Sequence, residues 1–184
     1  MHKVITDAEE RMKKSIASLK DGFASIRTGR ASASLFDKIK VDYYGDKSPL
    51  NQVANITIPE ARLIVIQPFD KTLIGEIEKA IRSSELSLNP SNDGKVIRIS
   101  IPPLTEDRRK ELVKVAKNNA EQSRVAMRNI RRDGNDELKK ILKDAEITED
   151  EEKHFSSELQ KLTDNYITKV NQVLEEKEKE IMEV

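Results

Sequence analysis

Hydrophobic positions between Thr105 and Lys143 recur with the period of one long α-helix. At 100° per residue the small and apolar side chains fall on one stripe, which comprises Leu112, Ala116, Asn119, Ser123, Met127, Ile130 and Ile141, with Ala126 beside it. A second stripe, displaced from the first by roughly 100°, carries only cations. Its members are Lys110, Lys117, Arg124, Arg128 and Arg131. The first stripe predicts packing against other helices, and the second indicates either an anionic partner or a solvated surface.

Two further segments have the same helical period. In residues 2–29 the apolar positions are Val4, Ala8, Met12, Ile16, Leu19, Phe23 and Ile26, and Gly29 is the predicted left-handed C-terminal cap. Near the other end of the chain, Thr148 and Glu151 predict a capping box. The helix that follows has its apolar positions at Phe155, Leu159, Leu162, Tyr166, Val170, Val173 and Ile181. Because an amphipathic helix is marginal alone, we expect the three helices to bury their stripes against one another.

The middle of the chain changes to a period of two. Alternation of apolar and polar residues predicts four short strands, at residues 39–43, 54–58, 63–66 and 97–101. Residues 71–83 are predicted to form a short helix with Asp70 as its N-cap. Gly45–Pro49 and Asn89–Gly94 are rich in turn-forming residues and are predicted turns.

These elements predict an α+β fold in two parts. Residues 1–30 and 104–184 would form an elongated antiparallel three-helix bundle, in which a helix of 39 residues is roughly 58 Å long. Residues 31–103 would form a small β-α-β sandwich-like domain inserted between the first and second helices. The two chain crossings consist of small residues and prolines, which indicates a two-strand hinge. The hinge residues are Ala31, Ser32, Ala33, Ser34, Pro102, Pro103 and Leu104.

Charge is distributed unevenly along a chain whose formal net charge is zero. Residues 1–30, 31–104, 105–144 and 145–184 carry +3, 0, +4 and −7 respectively. One flank of the bundle is therefore expected to suit phosphate, so neutrality does not exclude a nucleic-acid partner. The absence of cysteine indicates a reducing compartment, and no apolar run resembles a signal peptide or a membrane span. We therefore expect a soluble, cytoplasmic protein that has no membrane partner and is a monomer.

Residues suited to catalysis are scarce. The two histidines, His2 and His154, have no second histidine or cysteine nearby, and the six glycines form no phosphate-binding loop. We therefore expect no enzyme, no catalytic residue, no metal site and no cofactor. Arginines and aromatic residues do not alternate as they do in many single-strand binders, so any RNA contact is expected to join arginine to phosphate. Tyr43 and Tyr44 are expected either to pack against their own domain or to form an exposed tip.

Six segments give the chain a resemblance to the bacterial ribosome recycling factor family. They are Arg27–Ser32, Val41–Gly45, Leu88–Pro90, Pro102–Thr105, Glu106–Lys110 and Arg128–Asp133. Together, in this order and spacing, they cover essentially the whole chain.

The resemblance implies a tRNA-shaped factor that acts after termination. With elongation factor G as partner, it would split the post-termination ribosome into subunits, and its bundle would lie against large-subunit ribosomal RNA. The residues at the family's ribosome-contacting positions are Arg27, Arg30, Arg109, Arg128, Arg131 and Arg132, to which the charge stripe adds Lys110, Lys117 and Arg124. The alternative is a structural protein whose helices pair with partner helices and whose basic face is merely solvated.

Overall fold

The computed structural model describes residues 2–183 and divides the chain into two compact units. The first, the bundle unit, comprises the residues up to Thr28 and those from Thr105 onward. The second, the sheet unit, comprises Gly29–Leu104.

Three helices make up the bundle unit: α1 (Lys3–Ala24), α4 (Glu106–Lys143) and α5 (Glu149–Met182). Arg11 pairs with Asp133 and Ser15 contacts Ser123, so α4 runs antiparallel to α1. Tyr166 donates a hydrogen bond to Glu9 and Lys177 donates to the Ile26 carbonyl, so α5 runs parallel to α1. This is the three-helix arrangement predicted from the apolar stripes.

Both long helices begin where the sequence predicts. The Thr105 side chain accepts a hydrogen bond from the Arg108 amide at the start of α4. At the start of α5, the Glu151 amide donates to the Thr148 hydroxyl and the Glu151 carboxylate accepts from the Thr148 amide. The capping box is confirmed, and the Thr148 amide bond lowers the pKa of Glu151.

The end of α1 differs from the prediction. The helix stops at Ala24 rather than near Gly29, and Gly29 has a φ of +76° but lies outside the helix. Ser25 ends the helix because its hydroxyl donates to the Gly22 carbonyl at 2.6 Å and so competes with the next helical bond. Residues 25–28 are therefore irregular, and Arg27 does not lie in the last turn of α1.

Gly134 has a packing role that the sequence analysis did not assign to it. It lies on the buried stripe of α4, and a Cβ atom built there would be 2.6 Å from Cδ2 of the fully buried Leu159 of α5. The glycine therefore permits a close approach of α4 and α5.

The buried side of α5 differs from the predicted one. Thr163, Leu174 and Lys177 are buried, whereas the predicted core residues Phe155, Leu162 and Val173 are only half-buried.

The sheet unit contains two antiparallel sheets. Strands β1 (Lys40–Tyr43) and β2 (Asp46–Pro49) form a hairpin, and the short helix α2 (Leu50–Val53) follows. Strands β3 (Ala54–Glu60), β4 (Leu63–Pro68), β5 (Pro90–Asn92) and β6 (Ile97–Ser100) form a sheet in the order β3-β4-β6-β5. Helix α3 (Ile74–Arg82) contributes Ile74, Ile77 and Ile81 to a core that also contains Ile64, Ile66, Ile97 and Ile99.

Two predicted turns contain strands. Asp46–Pro49 pairs with β1 through a two-residue turn in which Tyr44 and Gly45 both have positive φ. Pro90–Asn92 pairs with β6. Both strands are short and mostly polar, so alternation does not reveal them.

Pro59 does not end its strand, contrary to the prediction. Strand β3 continues to Glu60 because it lies at the sheet edge, where proline is tolerated, and its register shifts between Thr57 and Glu60. Asp70 caps the 3₁₀ turn Lys71–Leu73 that leads into α3, rather than α3 itself, and the hydrogen bond that it accepts from the Thr72 amide lowers the pKa of its carboxyl group. The α+β fold class is therefore the predicted one, with two strands added.

The contact between Gly134 and Leu159 predicts strong energetic coupling. Leu159→Ala alone should cost about 2–5 kcal/mol because it leaves a cavity in the bundle. In a Gly134→Ala background the new methyl group occupies part of that cavity, so the same change should cost at least about 1 kcal/mol less. Urea unfolding of the two single variants and the double variant measures this coupling, and additive free energies would contradict the close packing.

Candidate nucleic-acid interface

Three of the five members of the cationic stripe lie along the junction between α4 and α5. Lys117 Nζ lies 3.8 Å from the Glu178 carboxylate, Arg124 Nε donates to the Asn171 side chain at 2.9 Å, and Arg131 donates to Gln160 at 3.0 Å. The three cations are seven residues apart, which keeps them on the same side of α4. Their aliphatic stems therefore border α5, while their charged ends lie at the edge of the bundle.

Glu121 is an acidic residue that pairs with two arginines of the stripe, a role that the sequence pattern does not reveal. Its carboxylate accepts from Arg128 at 2.7 Å and from Arg124 at 3.0 Å. These hydrogen bonds, that from Arg128 above all, lower the pKa of Glu121. The acid thus links two arginines and neutralises part of the positive potential between them.

Other exposed cations of α4 make no side-chain contact with α5 within residues 2–183. Arg128 and Arg132 are exposed, and the Arg132 side chain makes no hydrogen bond or ion pair with any residue in this range. Lys110 is exposed and pairs with Glu106 at 3.1 Å. Among the predicted contact arginines of α4, Arg132 is therefore the one most available to an external anion.

Arg109 occupies a different environment from the other arginines. It is half-buried, and its guanidinium donates to the Met182 carbonyl at 3.4 Å, at the C-terminal end of α5. A cation at that position compensates the partial negative charge of the helix end. The geometry supports the structural role of Arg109 more than a role in binding.

The predicted contact arginines do not form one cluster within the bundle unit. Arg27 is next to Thr28, whose hydroxyl donates to Glu180 of α5. Arg131 instead donates to Gln160 of α5. Twenty residues of α5 separate these two levels, which corresponds to roughly 30 Å. Arg27 and Arg131 therefore lie far apart along the bundle. Arg30 is exposed and belongs to the sheet unit.

Several of the predicted hinge residues have defined structure inside the sheet unit. The Ala31 amide donates to the Ala61 carbonyl at 2.8 Å, and Ser32 caps a 3₁₀ turn over Ala33–Phe36. At the other crossing, Pro102 and Pro103 are exposed, and Leu104 is half-buried beside Gly29. A Cβ atom at Gly29 would be 3.2 Å from Leu104 Cγ, so the two crossings come close together there.

The hairpin tip is exposed rather than packed. Tyr44 is 86% exposed and meets Tyr43 edge-on, with 4.6 Å between the ring centroids. Of the two roles left open for these tyrosines, the structure favours the exposed tip.

No constellation of catalytic groups is found among residues 2–183. His2 caps α1 by accepting a hydrogen bond from the Val4 amide, and His154 is an exposed neighbour of Glu158. No three histidine, aspartate or glutamate side chains within this range are grouped so as to hold a metal. A groove of about 390 Å³ between α1 and α4 is lined only by uncharged side chains: Ser15, Ser18, Leu19, Gly22, Asn119, Gln122, Ser123 and Ala126. No helix in the described range is both long and apolar enough to cross a bilayer.

The fold and this surface define a class of protein in which a three-helix bundle carries a line of exposed cations along one helix. The sequence profile of the ribosome recycling factor family matches residues 19–182. The chain therefore belongs to the ribosome recycling factor family, a family of translation factors.

Relatives and solved structures agree with this assignment. The ribosome-recycling factor of Treponema denticola is 62% identical over 183 residues, covering 100% of this chain and 99% of the relative. That of Bacillus thuringiensis is 58% identical over 181 residues, covering 98% of each chain. A solution structure of a ribosome recycling factor covers 100% of both chains at 46% identity, with a TM-score of 0.72.

A second solved structure contains a ribosome complex. Models for the T. thermophilus ribosome recycling factor and the E. coli elongation factor G bound to the E. coli post-termination complex include a chain that is 47% identical, with a TM-score of 0.60. The match covers 98% of this chain and 97% of that one. The family resemblance noted in the sequence is thus confirmed.

The position of Glu121 predicts that its removal strengthens the attraction of the bundle for RNA. Glu121→Gln adds one positive charge and releases Arg124 and Arg128, so affinity for a non-specific RNA duplex should rise and its dependence on salt should steepen. Glu111→Gln is a matched control, because Glu111 forms a similar exposed pair with Arg108 at 2.9 Å, away from the stripe. Fluorescence anisotropy at several salt concentrations measures the effect, and equal changes in both variants would contradict a special role for Glu121.

Proposed function

We propose that the bundle unit binds large-subunit ribosomal RNA through the cations of α4, and that the protein acts with elongation factor G to split post-termination ribosomes into subunits. The observation that carries the proposal is the exposed arginine side of α4, where Arg128 and Arg132 extend beyond the α4–α5 junction. Membership of the ribosome recycling factor family supports the general function. The solved complex of a similar chain with elongation factor G and a ribosome supports the proposed partners.

Arginine suits this role because its guanidinium group donates in parallel to two oxygens of one phosphate. Arg128 and Arg132 are one helical turn apart on α4, so two such forks would address neighbouring phosphates of structured RNA. The uncharged groove between α1 and α4 supplies no comparable field. Binding would therefore depend on shape and charge rather than on base sequence.

The pairing of Arg131 with Gln160 adds a constraint. The guanidinium group has five donors, and Gln160 occupies one nitrogen at 3.0 Å. The remaining donors stay available, while the bond to α5 limits the side-chain freedom that would be lost on binding. Arg131 is thus held close to a binding conformation.

Substitution of these arginines tests the interface. Arg131→Ala and Arg132→Ala should each weaken ribosome binding by about 1–3 kcal/mol, the usual scale for hydrogen bonds to charged groups, with thermal unfolding nearly unchanged. Each variant should also reduce the steepness with which affinity falls as salt rises. Ribosome co-sedimentation at three salt concentrations measures both quantities.

Arg11→Ala provides the control, since Arg11 is an exposed arginine of α1 that pairs with Asp133 on another side of the bundle. It makes the same charge change and should bind almost normally. If all three variants bind equally well, the stripe is merely solvated and the protein contacts the ribosome elsewhere. Early unfolding of Arg131→Ala would assign that residue a structural role instead.

The hinge remains part of the proposal. Because Ala31 and Ser32–Phe36 have defined structure within the sheet unit, the proposed movement is concentrated at residues 29–30 and at Pro102–Leu104. Irregular backbone without helix or strand bonds absorbs changes in φ and ψ at low cost. Movement of one unit against the other would couple factor binding to subunit separation.

A reducible crosslink tests the movement. The chain contains no cysteine, so one engineered cysteine in each unit gives a single defined disulfide. The crosslinked protein should bind ribosomes as the reduced protein does but fail to split them with elongation factor G, and reduction should restore splitting. Light scattering of ribosomes reports subunit separation, and full activity of several different crosslinked pairs would exclude the hinge.

A further inference from the structure

Lys177 is the only charged residue that is buried within residues 2–183, with 8% of its surface exposed. It lies on the inner side of α5, among positions that are otherwise apolar or hydroxyl-bearing. A buried ammonium group is costly unless it is paired, and an apolar side chain of similar length would fill the same space without that cost. Packing alone therefore does not account for a lysine here.

Lys177 joins α5 to the segment that follows α1. Its Nζ donates to the Ile26 carbonyl at 3.3 Å and pairs with the Glu180 carboxylate at 3.2 Å. The other oxygen of Glu180 accepts a hydrogen bond from the Thr28 hydroxyl at 3.2 Å. One lysine and one glutamate of α5 thus hold the residues on both sides of Arg27.

This arrangement follows from the early end of α1. The helix stops at Ala24, so the carbonyl of the buried residue Ile26 has no helical amide to accept from. The Lys177 ammonium supplies that donor from a neighbouring helix, which places a cation at the negative end of α1. The backbone of Arg27 is fixed between two anchored residues, while its side chain is exposed and has no partner within residues 2–183.

We infer that Lys177 and Glu180 are positioning residues that fix Ile26–Thr28 and thereby present Arg27 to an RNA phosphate. The inference rests on the proposed function for the contact made by Arg27. It assigns the acidic helix α5 a second role, because Lys177 and Glu180 of this helix hold the segment that carries Arg27. In a purely structural reading the same two residues would only join α5 to α1.

Proteolysis tests the clamp without a ribosome. Trypsin cleaves after arginine, and cleavage between Arg27 and Thr28 requires local opening of this segment. Loss of a hydrogen bond to a charged group should raise the open population about tenfold or more, and the cleavage rate follows that population. Lys177→Met should therefore accelerate cleavage after Arg27 by about tenfold, as measured by mass spectrometry of the released peptides.

Lys179→Met is the matched control, because Lys179 is exposed on the same helix and pairs with Glu175 at 2.9 Å. It should leave the rate unchanged. If Lys177→Met does not fold, as judged by circular dichroism, Glu180→Gln takes its place, since it breaks the ion pair and keeps an acceptor for Thr28. An unchanged rate of cleavage after Arg27 in the folded variant would overturn the clamp.

Ribosome binding separates positioning from simple stabilisation. Arg27→Ala should weaken binding about tenfold, the loss expected for one charged hydrogen bond. Lys177→Met should weaken it to a similar or smaller extent, and the double variant should bind no more weakly than Arg27→Ala alone, because both changes remove the same contact.

The remaining outcomes each identify which part is wrong. Losses that add in the double variant would show that Lys177 acts independently of Arg27 and would overturn the inference. Normal binding by Arg27→Ala, together with faster cleavage in Lys177→Met, would leave the clamp in place and overturn its purpose. If Arg131→Ala and Arg132→Ala also bind ribosomes normally, the proposed function itself is wrong.

Discussion

The antiparallel contact between α4 and α5 is the interaction on which the rest of the bundle unit depends. Gly134 lacks the side chain that would collide with Leu159, and this allows the two helices to approach closely. Polar contacts along the edge of the same junction, from Asn135–Ser156 to Lys117–Glu178, set the register over many turns. The cationic stripe owes its position to this register, because three of its members contact α5.

The junction also explains how one helix carries many like charges at moderate cost. Repulsion between neighbouring cations is offset by Glu121, which lies between Arg124 and Arg128. Other cations are paired across the junction, so their stems are ordered while their charged ends remain near solvent. An exposed ion pair contributes little to stability, and its partner exchanges readily for a phosphate. The surface is thus compatible both with a folded free protein and with binding to RNA.

The sheet unit has a separate core of isoleucine and other aliphatic side chains supplied by α3 and the four-stranded sheet. Ala31 and Ile101 donate to the adjacent carbonyls of Ala61 and Arg62 in the turn between β3 and β4. Both chain crossings are therefore attached to one turn within this unit. A two-stranded connection anchored in this way restricts the path of the chain more than a single linker would.

The sequence by itself determined the two long helices α4 and α5 and their N-terminal caps. Thr105, Thr148 and Asp70 act through bonds to residues two or three positions away, so their roles are visible in a local pattern. The apolar stripes predicted which helices must pack, and the six family segments identified the fold and the family. The short polar strands β2 and β5 escaped prediction, because they are specified by the strands they pair with rather than by their own alternation.

Only the tertiary structure decided the parts that depend on contacts between distant residues. Gly134 reads as a weak point in a helix until Leu159 is placed against it, and Lys177 reads as one more surface lysine until the Ile26 carbonyl is beside it. Glu121 and Arg109 likewise acquire their roles from partners or from burial that no periodicity encodes. Periodicity reports which side of a helix is buried, whereas the partner on that side is set by register between elements far apart in the chain.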